Sequence, residues 1–227
     1  MLELLSRIDQ RTRQLEKWLP KRRAVHASTD TARPYANLLE FVPYATPRWV
    51  SPRHLAPLAE VFERIVRGEA VRVVVSTPPR HGKTELLIHG IAYLLADNPA
   101  RQIAYVGYAS TFAEDKSRKA RAIAREVGVP ISPEAWSRKN WRTGVADGGV
   151  WATSITGPLT GQGFSVMVID DPIRDRATAE SATYRQHHYD WFNDTAFTRL
   201  EPGGSCIVVQ TRWHEDDLAG RLIKDGW

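Results

Sequence analysis

Residues Val71 to Thr84 read Val-Arg-Val-Val-Val-Ser-Thr-Pro-Pro-Arg-His-Gly-Lys-Thr. The apolar beginning predicts a buried β-strand, and the Pro-Pro-Arg-His-Gly segment predicts a tight loop that leads into a helix. In such a unit the backbone N–H groups of the loop and the dipole of the helix favour a negative charge at one spot. We interpret the stretch as a phosphate-binding loop.

The end of this stretch is a variant of the Walker A pattern G-x-x-x-x-G-K-[ST]. Gly82 lets the backbone approach a phosphate, Lys83 reaches the β- and γ-phosphates of ATP, and the Thr84 hydroxyl can hold Mg²⁺. The pattern asks for glycine at position 77, where this chain has threonine. Gly-Lys-Thr by itself also fits an ordinary strand-to-helix turn. The predicted nucleotide-binding residues are Thr77, Pro78, Pro79, Arg80, His81, Gly82, Lys83 and Thr84.

A second motif, Ser-Val-Met-Val-Ile-Asp-Asp at residues 165–171, has the form of a Walker B strand. A buried parallel strand that ends in charge must deliver that charge to the crevice at the carboxyl edge of its sheet. We expect Asp170 to bind Mg²⁺ through water and Asp171 to act as the base for the attacking water. The alternative is a solvated strand end with an Asp-Asp-Pro turn.

Composition narrows the class of protein. The chain has 227 residues, 42% hydrophobic and 25% charged, which is ordinary for a globular protein of one large domain or one and a half. Cys206 is the only cysteine, so no disulfide framework is possible and a reducing cytoplasm is the natural compartment. No apolar run approaches the length that spans a bilayer. The net charge of +5 suggests a polyanionic partner.

Basic residues are concentrated in two segments. Residues 1–33 hold eight Lys or Arg against four Asp or Glu, and residues 116–142 hold eight against two. The first predicts a basic helix over residues 2–19, and the four prolines of residues 27–53 predict an irregular lead-in. Residues 1–48 are expected to form this N-terminal part of the chain. A solvated basic helix is the preferred interpretation of the first segment, and a contact with DNA or with another subunit is its alternative. The second segment favours DNA binding by a helix, with a solvated helix face as the alternative. The predicted DNA contacts are Lys116, Arg118, Lys119 and Arg121.

The strand predicted at residues 205–210 ends in a polar segment that begins Gln210-Thr211-Arg212. Polar side chains at the tip of a strand beside Walker B can sense the γ-phosphate, so these three are candidate sensors. If Thr211 reaches the nucleotide, strand 205–210 must lie between the other two motif strands. The acids at residues 215–217 are expected to cap the helix that follows.

Two adjacent histidines, His187 and His188, fall on a helix predicted over about 179–197. Adjacent residues on a helix cannot face one metal ion together. We interpret them as structural or surface residues.

Four motifs in this order resemble those of the large terminase subunit of tailed bacteriophages. They are Pro-Pro-Arg-His-Gly-Lys-Thr at 78–84, Val-Ile-Asp-Asp-Pro at 168–172, Pro-Gly-Gly at 202–204, and Gln-Thr-Arg-Trp-His-Glu-Asp-Asp-Leu at 210–218. The resemblance runs from about Trp49 to residue 227. It implies an α/β, three-layer P-loop NTPase of the additional-strand (ASCE) type with a mostly parallel sheet, over residues 49–227.

The resemblance also implies roles and partners. Arg80, Lys83 and Asp171 would be catalytic, Thr84 and Asp170 would hold Mg²⁺, and residues 210–212 would be the coupling motif. The partners would be double-stranded DNA, the portal of the procapsid, the small terminase subunit and further copies in a ring, in the cytoplasm of a bacterial host. The family joins this domain to an RNase H-like nuclease, and we expect no nuclease site in residues 1–227.

Two departures from the family leave alternatives open. Many members have glutamate where this chain has Asp171, which is one methylene shorter. Some members place a trans-acting arginine before Walker B, where residues 159–163 here have none. The charge must then come from Arg80 or from an arginine of a neighbouring subunit, for which the candidates are Arg174, Arg176 and Arg212. A helicase-like nucleic-acid ATPase and a catalytically idle scaffold that binds nucleotide and DNA remain the alternative functions.

Overall fold

A computed structural model of the chain describes residues 33–50, 53–137, 139–145, 147–159 and 161–227. The basic helix predicted near the N-terminus lies outside the described residues and stays a prediction.

A seven-stranded mixed sheet forms the middle of the described chain. The strand order is β1-β7-β6-β2-β5-β4-β3, and the first five strands of that order are parallel whereas β4 and β3 are antiparallel. The strands are β1 Arg72–Ser76, β2 Gln102–Gly107, β3 Ile131–Trp136, β4 Asn140–Thr143, β5 Gly149–Ser154, β6 Phe164–Asp170 and β7 Leu200–Gln210. Since β7 lies between the strands of the two nucleotide motifs, the predicted strand order is confirmed.

The helices cover both faces of this sheet. They are α1 Leu38–Ala45, α2 Ala56–Val66, α3 Lys83–Asp97, α4 Ser110–Glu126, α5 Arg176–Glu180, α6 Ala182–Trp191 and α7 Leu218–Lys224. Of the helices in the described ranges, none is both long and apolar enough to cross a membrane.

Alternation along the strands produces two hydrophobic cores. Along β2, Ile103 and Tyr105 pack into the core beneath α1 to α4. Their neighbours Ala104 and Val106 pack into the other core, beneath α6 and α7. Successive side chains of a strand point to opposite faces, so an interior strand that is apolar throughout requires a layer of helices on each side. The predicted three-layer α/β fold is confirmed.

Helix α1 corrects the prediction that residues 27–53 are irregular. The side chain of Asn37 accepts a hydrogen bond from the backbone N–H of Glu40 and so begins the helix. Leu38, Phe41 and Val42 are fully buried against the core. The prolines of this segment suggested loop structure, but burial of one apolar face stabilises two turns of helix despite Pro43.

The helix that begins at Lys83 is held at close range by α2. A methyl group added at Gly90 of α3 would lie 2.3 Å from the ring of Phe62 on α2, which is far inside van der Waals contact. Because Phe62 is itself fully buried, it has no room to move aside. The absence of a side chain at Gly90 therefore sets the distance between the two helices and the placement of the start of α3.

Candidate nucleotide site

The loop between β1 and α3 has the backbone that its sequence predicts. Gly82 has a φ of 81° and stands immediately before α3, where no side chain caps the helix, so the first backbone N–H groups remain available to an anion. Arg80 has a φ of 62° and is exposed. The imidazole of His54 hydrogen-bonds to the carbonyl of His81 at 2.9 Å and ties the loop to the start of α2.

A lysine at the start of α3 meets a carboxylate and a hydroxyl that directly follow β6 and β7, at the carboxyl edge of the sheet. Lys83 is only 4% exposed, and its Nζ donates to Oδ1 of Asp171 and to Oγ1 of Thr211, each at 2.6 Å. The backbone N–H of Thr211 donates to the same Oδ1 at 2.8 Å. Asp171 has a φ of 43°, which is unusual for a residue other than glycine. The predicted base, phosphate-binding lysine and sensor therefore form one hydrogen-bonded network.

Asp170, one residue earlier, is fully buried. The hydroxyl of Tyr105 on β2 donates to its Oδ2 at 2.6 Å, and the neighbouring Thr84 side chain favours the ionised carboxylate. Burial outweighs these effects and raises the pKa of Asp170 to about 6. Burial and the adjacent carboxylate also raise the pKa of Tyr105, so its hydroxyl stays protonated and acts as the donor.

Several polar atoms of this edge are buried without a hydrogen-bond partner among the described residues. They are Oδ1 of Asp170, Oγ1 of Thr77 and both amide atoms of Gln210. Buried polar groups are normally satisfied, so unsatisfied ones that gather at one edge indicate a place for a ligand, an ion or water. Oδ1 of Asp170 and the Thr84 hydroxyl near the same carboxylate give the oxygen donors that Mg²⁺ prefers, and the residues present fit that ion. We call Lys83, Asp170, Asp171, Gln210 and Thr211 the strand-end cluster.

Arg212, a predicted sensor, is engaged elsewhere in this structure. Its guanidinium contacts Asp217 at 3.0 Å and donates to the backbone carbonyls of His214 and Glu215. Asp217 accepts a hydrogen bond from the N–H of Gly220 and caps α7, as predicted for this acid. The structure thus places Arg212 in the turn before α7 and outside the strand-end cluster.

Asp216 does not cap α7, although a cap was predicted for all three acids of this segment. Its carboxylate instead pairs with Arg221 at 2.8 Å and with Arg185 of α6 at 3.4 Å.

The predicted DNA contacts lie on α4, together with Arg125. We call Lys116, Arg118, Lys119, Arg121 and Arg125 the α4 basic face. Three of these residues, Lys116, Arg118 and Lys119, lie within 4.0 Å of the one carboxylate of Asp115. Burial, with Arg118 and Arg125 nearby, lowers the pKa of the Arg121 guanidinium. The face borders a groove of about 280 Å³.

Other residues singled out in the sequence lie away from the cluster. His188 is 5% exposed, and burial, with His187 beside it, lowers its pKa to about 4. Among the described residues, no three or more His, Cys, Asp and Glu side chains are grouped so that they could hold a metal ion. The side chains of Arg174 and Arg176 are 71% and 74% exposed and lie beside Asp175 and Glu180.

Tyr105 is the site residue that sequence reasoning missed. It stands in the apolar strand Gln102–Gly107, where an aromatic residue is typical of packing. The available signal was its place in a strand next to Walker B, on the face that also carries Asp170.

Comparison with known proteins identifies the family. A family model described as terminase large subunit, T4likevirus-type, N-terminal, matches residues 74–225. A search of curated proteins gave no significant match. The large terminase of bacteriophage HK97 has a similar structure, with a TM-score of 0.57, 17% identity and coverage of 83% of this chain and 40% of that one. A variant of S. cerevisiae Dbp5 bound to RNA and ADP BeF3 is also similar, with a TM-score of 0.52 and 10% identity. That match covers 85% of this chain and 48% of the Dbp5 chain.

These structural likenesses show the fold alone, and this chain spans about two fifths of the HK97 protein that it matches. The family model is more specific, because it covers both nucleotide motifs and the coupling segment. The chain belongs to the terminase large subunit family, T4likevirus-type, and contains the N-terminal domain of that family.

Proposed function

We propose that this chain hydrolyses ATP and that hydrolysis drives double-stranded DNA into a phage procapsid. The observation that carries the proposal is the hydrogen-bonded network of Lys83 at the start of α3, Asp171 just after β6 and Thr211 just after β7. Family membership supports the link to DNA packaging. The similarity to Dbp5 is one of fold and does not favour the helicase alternative.

We derive the hydrolysis step from a competition in which the phosphates of ATP and the side chains of Asp171 and Thr211 compete for the ammonium group of Lys83. In the structure its ammonium is held by Asp171 and Thr211. The phosphates of ATP carry more charge than one carboxylate, so bound ATP draws the ammonium towards the β- and γ-phosphates. Asp171 then keeps the backbone N–H of Thr211 and can accept a proton from water. That water forms the new bond to the γ-phosphorus, and the bond from phosphorus to the β–γ bridging oxygen breaks.

Asp170 and Thr84 would hold Mg²⁺, which supplies positive charge to the phosphates when bound. The unsatisfied, buried Oδ1 of Asp170 supports this assignment. Arg80 is exposed in the loop that would surround the phosphates and is one source of further positive charge. An arginine of a neighbouring subunit in a ring is the other, and Arg174 and Arg176 are exposed enough to serve, whereas Arg212 is engaged near α7.

For DNA we propose the α4 basic face. Lys119 lies 3.9 Å from Glu85, which is in the first turn of the helix that begins at Lys83. A DNA phosphate that binds Lys119 would compete with its contact to Glu85, and this contact lies next to the nucleotide loop. We further propose the portal of the procapsid and the small subunit as partners, the host cytoplasm as the compartment, and residues 49–227 as the ATPase domain.

A phosphate-release assay with ATP and Mg²⁺, with and without double-stranded DNA, tests the function. We expect hydrolysis that DNA stimulates. Nucleotide binding without any phosphate release, with DNA present, would establish the idle scaffold instead. Stimulation by single-stranded RNA but not by double-stranded DNA would favour a helicase-like enzyme.

A further inference from the structure

We propose that Tyr105 positions the metal-binding carboxylate: its hydroxyl holds Oδ2 of Asp170 so that Oδ1 is the atom presented to a divalent cation. This inference rests on the proposed function, because it concerns the same nucleotide site. It adds a residue that is absent from the two nucleotide motifs and names the oxygen that binds.

Strand register brings the two side chains together. In the parallel pair of β2 and β6, Gly107 lies opposite Asp170 and Tyr105 lies opposite Val168. Tyr105 is therefore a diagonal neighbour of Asp170 on the same face of the sheet, within reach of a long aromatic side chain. Since the residue directly opposite Asp170 is glycine, no side chain stands there.

Packing makes Tyr105 a rigid support. Its ring is fully buried in the core beneath α1 to α4, on a strand with neighbours on both sides. Its hydroxyl reaches Oδ2 of Asp170 at 2.6 Å, whereas Oδ1 of the same carboxylate has no hydrogen-bond partner among the described residues. A carboxylate with one oxygen held and the other buried and unsatisfied is oriented for one ligand. Groups that orient a metal ligand in this way typically change metal affinity by about 10–100-fold when they are removed.

The test is Tyr105→Phe, which keeps the ring and removes the hydroxyl. Mn²⁺ serves as the probe, because its EPR signal reports free ion directly, and the whole chain is titrated in the presence of a non-hydrolysable ATP analogue. We expect Mn²⁺ to bind about 10–100-fold more weakly than to the unchanged chain. Binding of the analogue in EDTA should be the same for both.

Tyr93→Phe is a matched control. Tyr93 is also buried, on α3, and its hydroxyl donates to a carboxylate oxygen of Glu63 at 2.8 Å, outside the strand-end cluster. Its variant should lose a comparable amount of thermal stability and keep the Mn²⁺ affinity. Equal loss of Mn²⁺ affinity in the two variants would assign Tyr105 a merely structural role and overturn the proposal.

A second measurement uses Asp170→Asn. If Tyr105 acts through Asp170, adding Tyr105→Phe to Asp170→Asn should weaken Mn²⁺ binding no further. An additional loss, or an unchanged affinity in Tyr105→Phe, overturns the inference while the proposed function stands. If the unchanged chain binds no Mn²⁺ with the analogue and releases no phosphate, the proposed function itself fails, which is a distinct result.

Discussion

The strand-end cluster and the α4 basic face are both charged, but the charged side chains differ in burial and in how many partners each has. In the cluster Lys83 is 4% exposed and has a separate short hydrogen bond to each of two partners. On α4 the side chains of Arg118 and Lys119 are 53% and 43% exposed, and they share Asp115. Removing one partner of a buried pair costs much, whereas an exposed pair contributes at most about 1 kcal/mol. Single substitutions should therefore be decisive in the cluster and small on α4.

The largest effect is expected from Lys83→Ala. It removes the charge for the phosphates and leaves Asp171 without its ion-pair partner, so ATP hydrolysis should be abolished in a phosphate-release assay. Lys116→Ala, on α4, is the control and should keep turnover without DNA. Normal turnover in Lys83→Ala would remove the phosphate-binding assignment.

Asp171→Asn comes next. The amide keeps the size of the side chain and tolerates a positive φ, but it cannot accept the proton of water. Nucleotide should still bind, while single-turnover hydrolysis should slow by about 10²–10⁴-fold. Hydrolysis at the original rate would mean that the base is another residue.

These expectations could be reached from the sequence in part. The strand order and the placement of Lys83, Asp171 and Thr211 at one nucleotide site were predicted, because parallel strands deliver their ends to one edge. The direct hydrogen bonds among the three side chains were not predicted. Helix α1 was missed because its prolines suggest a loop while tertiary burial stabilises it. The hydrogen bonds of Tyr105 and Arg212 were missed because they depend on which side chains become neighbours across the fold.

His188 is a buried titratable residue outside the cluster, and its lowered pKa should make the stability of the fold depend on pH. Its pKa in the folded chain lies at about 4, below the ordinary 6.5, so the unfolded chain takes up the proton first. Stability contributed by neutral His188 is present above about pH 6.5 and is lost as the pH falls towards 4. The loss should be at most about 3 kcal/mol and should be reduced in His188→Gln, as measured by urea unfolding at several pH values. Parallel stability curves for the two proteins would contradict the expectation.

The smallest effects are expected on α4, where they should appear in the salt dependence of binding. Replacing Arg121 and Arg125 by alanine should lower the slope of log affinity for duplex DNA against log salt by about 0.9 for each phosphate that is no longer neutralised. Lys116→Ala should change it less, because it removes one positive charge and not two. An unchanged slope in the double variant would make the face a solvated surface and remove the contrast with the cluster.

The positive φ of Asp171 limits which amino acids the position can accept. Beyond glycine, aspartate and asparagine are the residues that best tolerate this backbone, because their short polar side chains can hydrogen-bond locally. Here the carboxylate does so with the N–H of Thr211. A glutamate would have to bear the same backbone with a longer side chain that no longer matches this hydrogen bond. Asp171→Glu should therefore require a different backbone conformation at residue 171, and a different backbone there should lose the hydrogen bond between the carboxylate and Thr211.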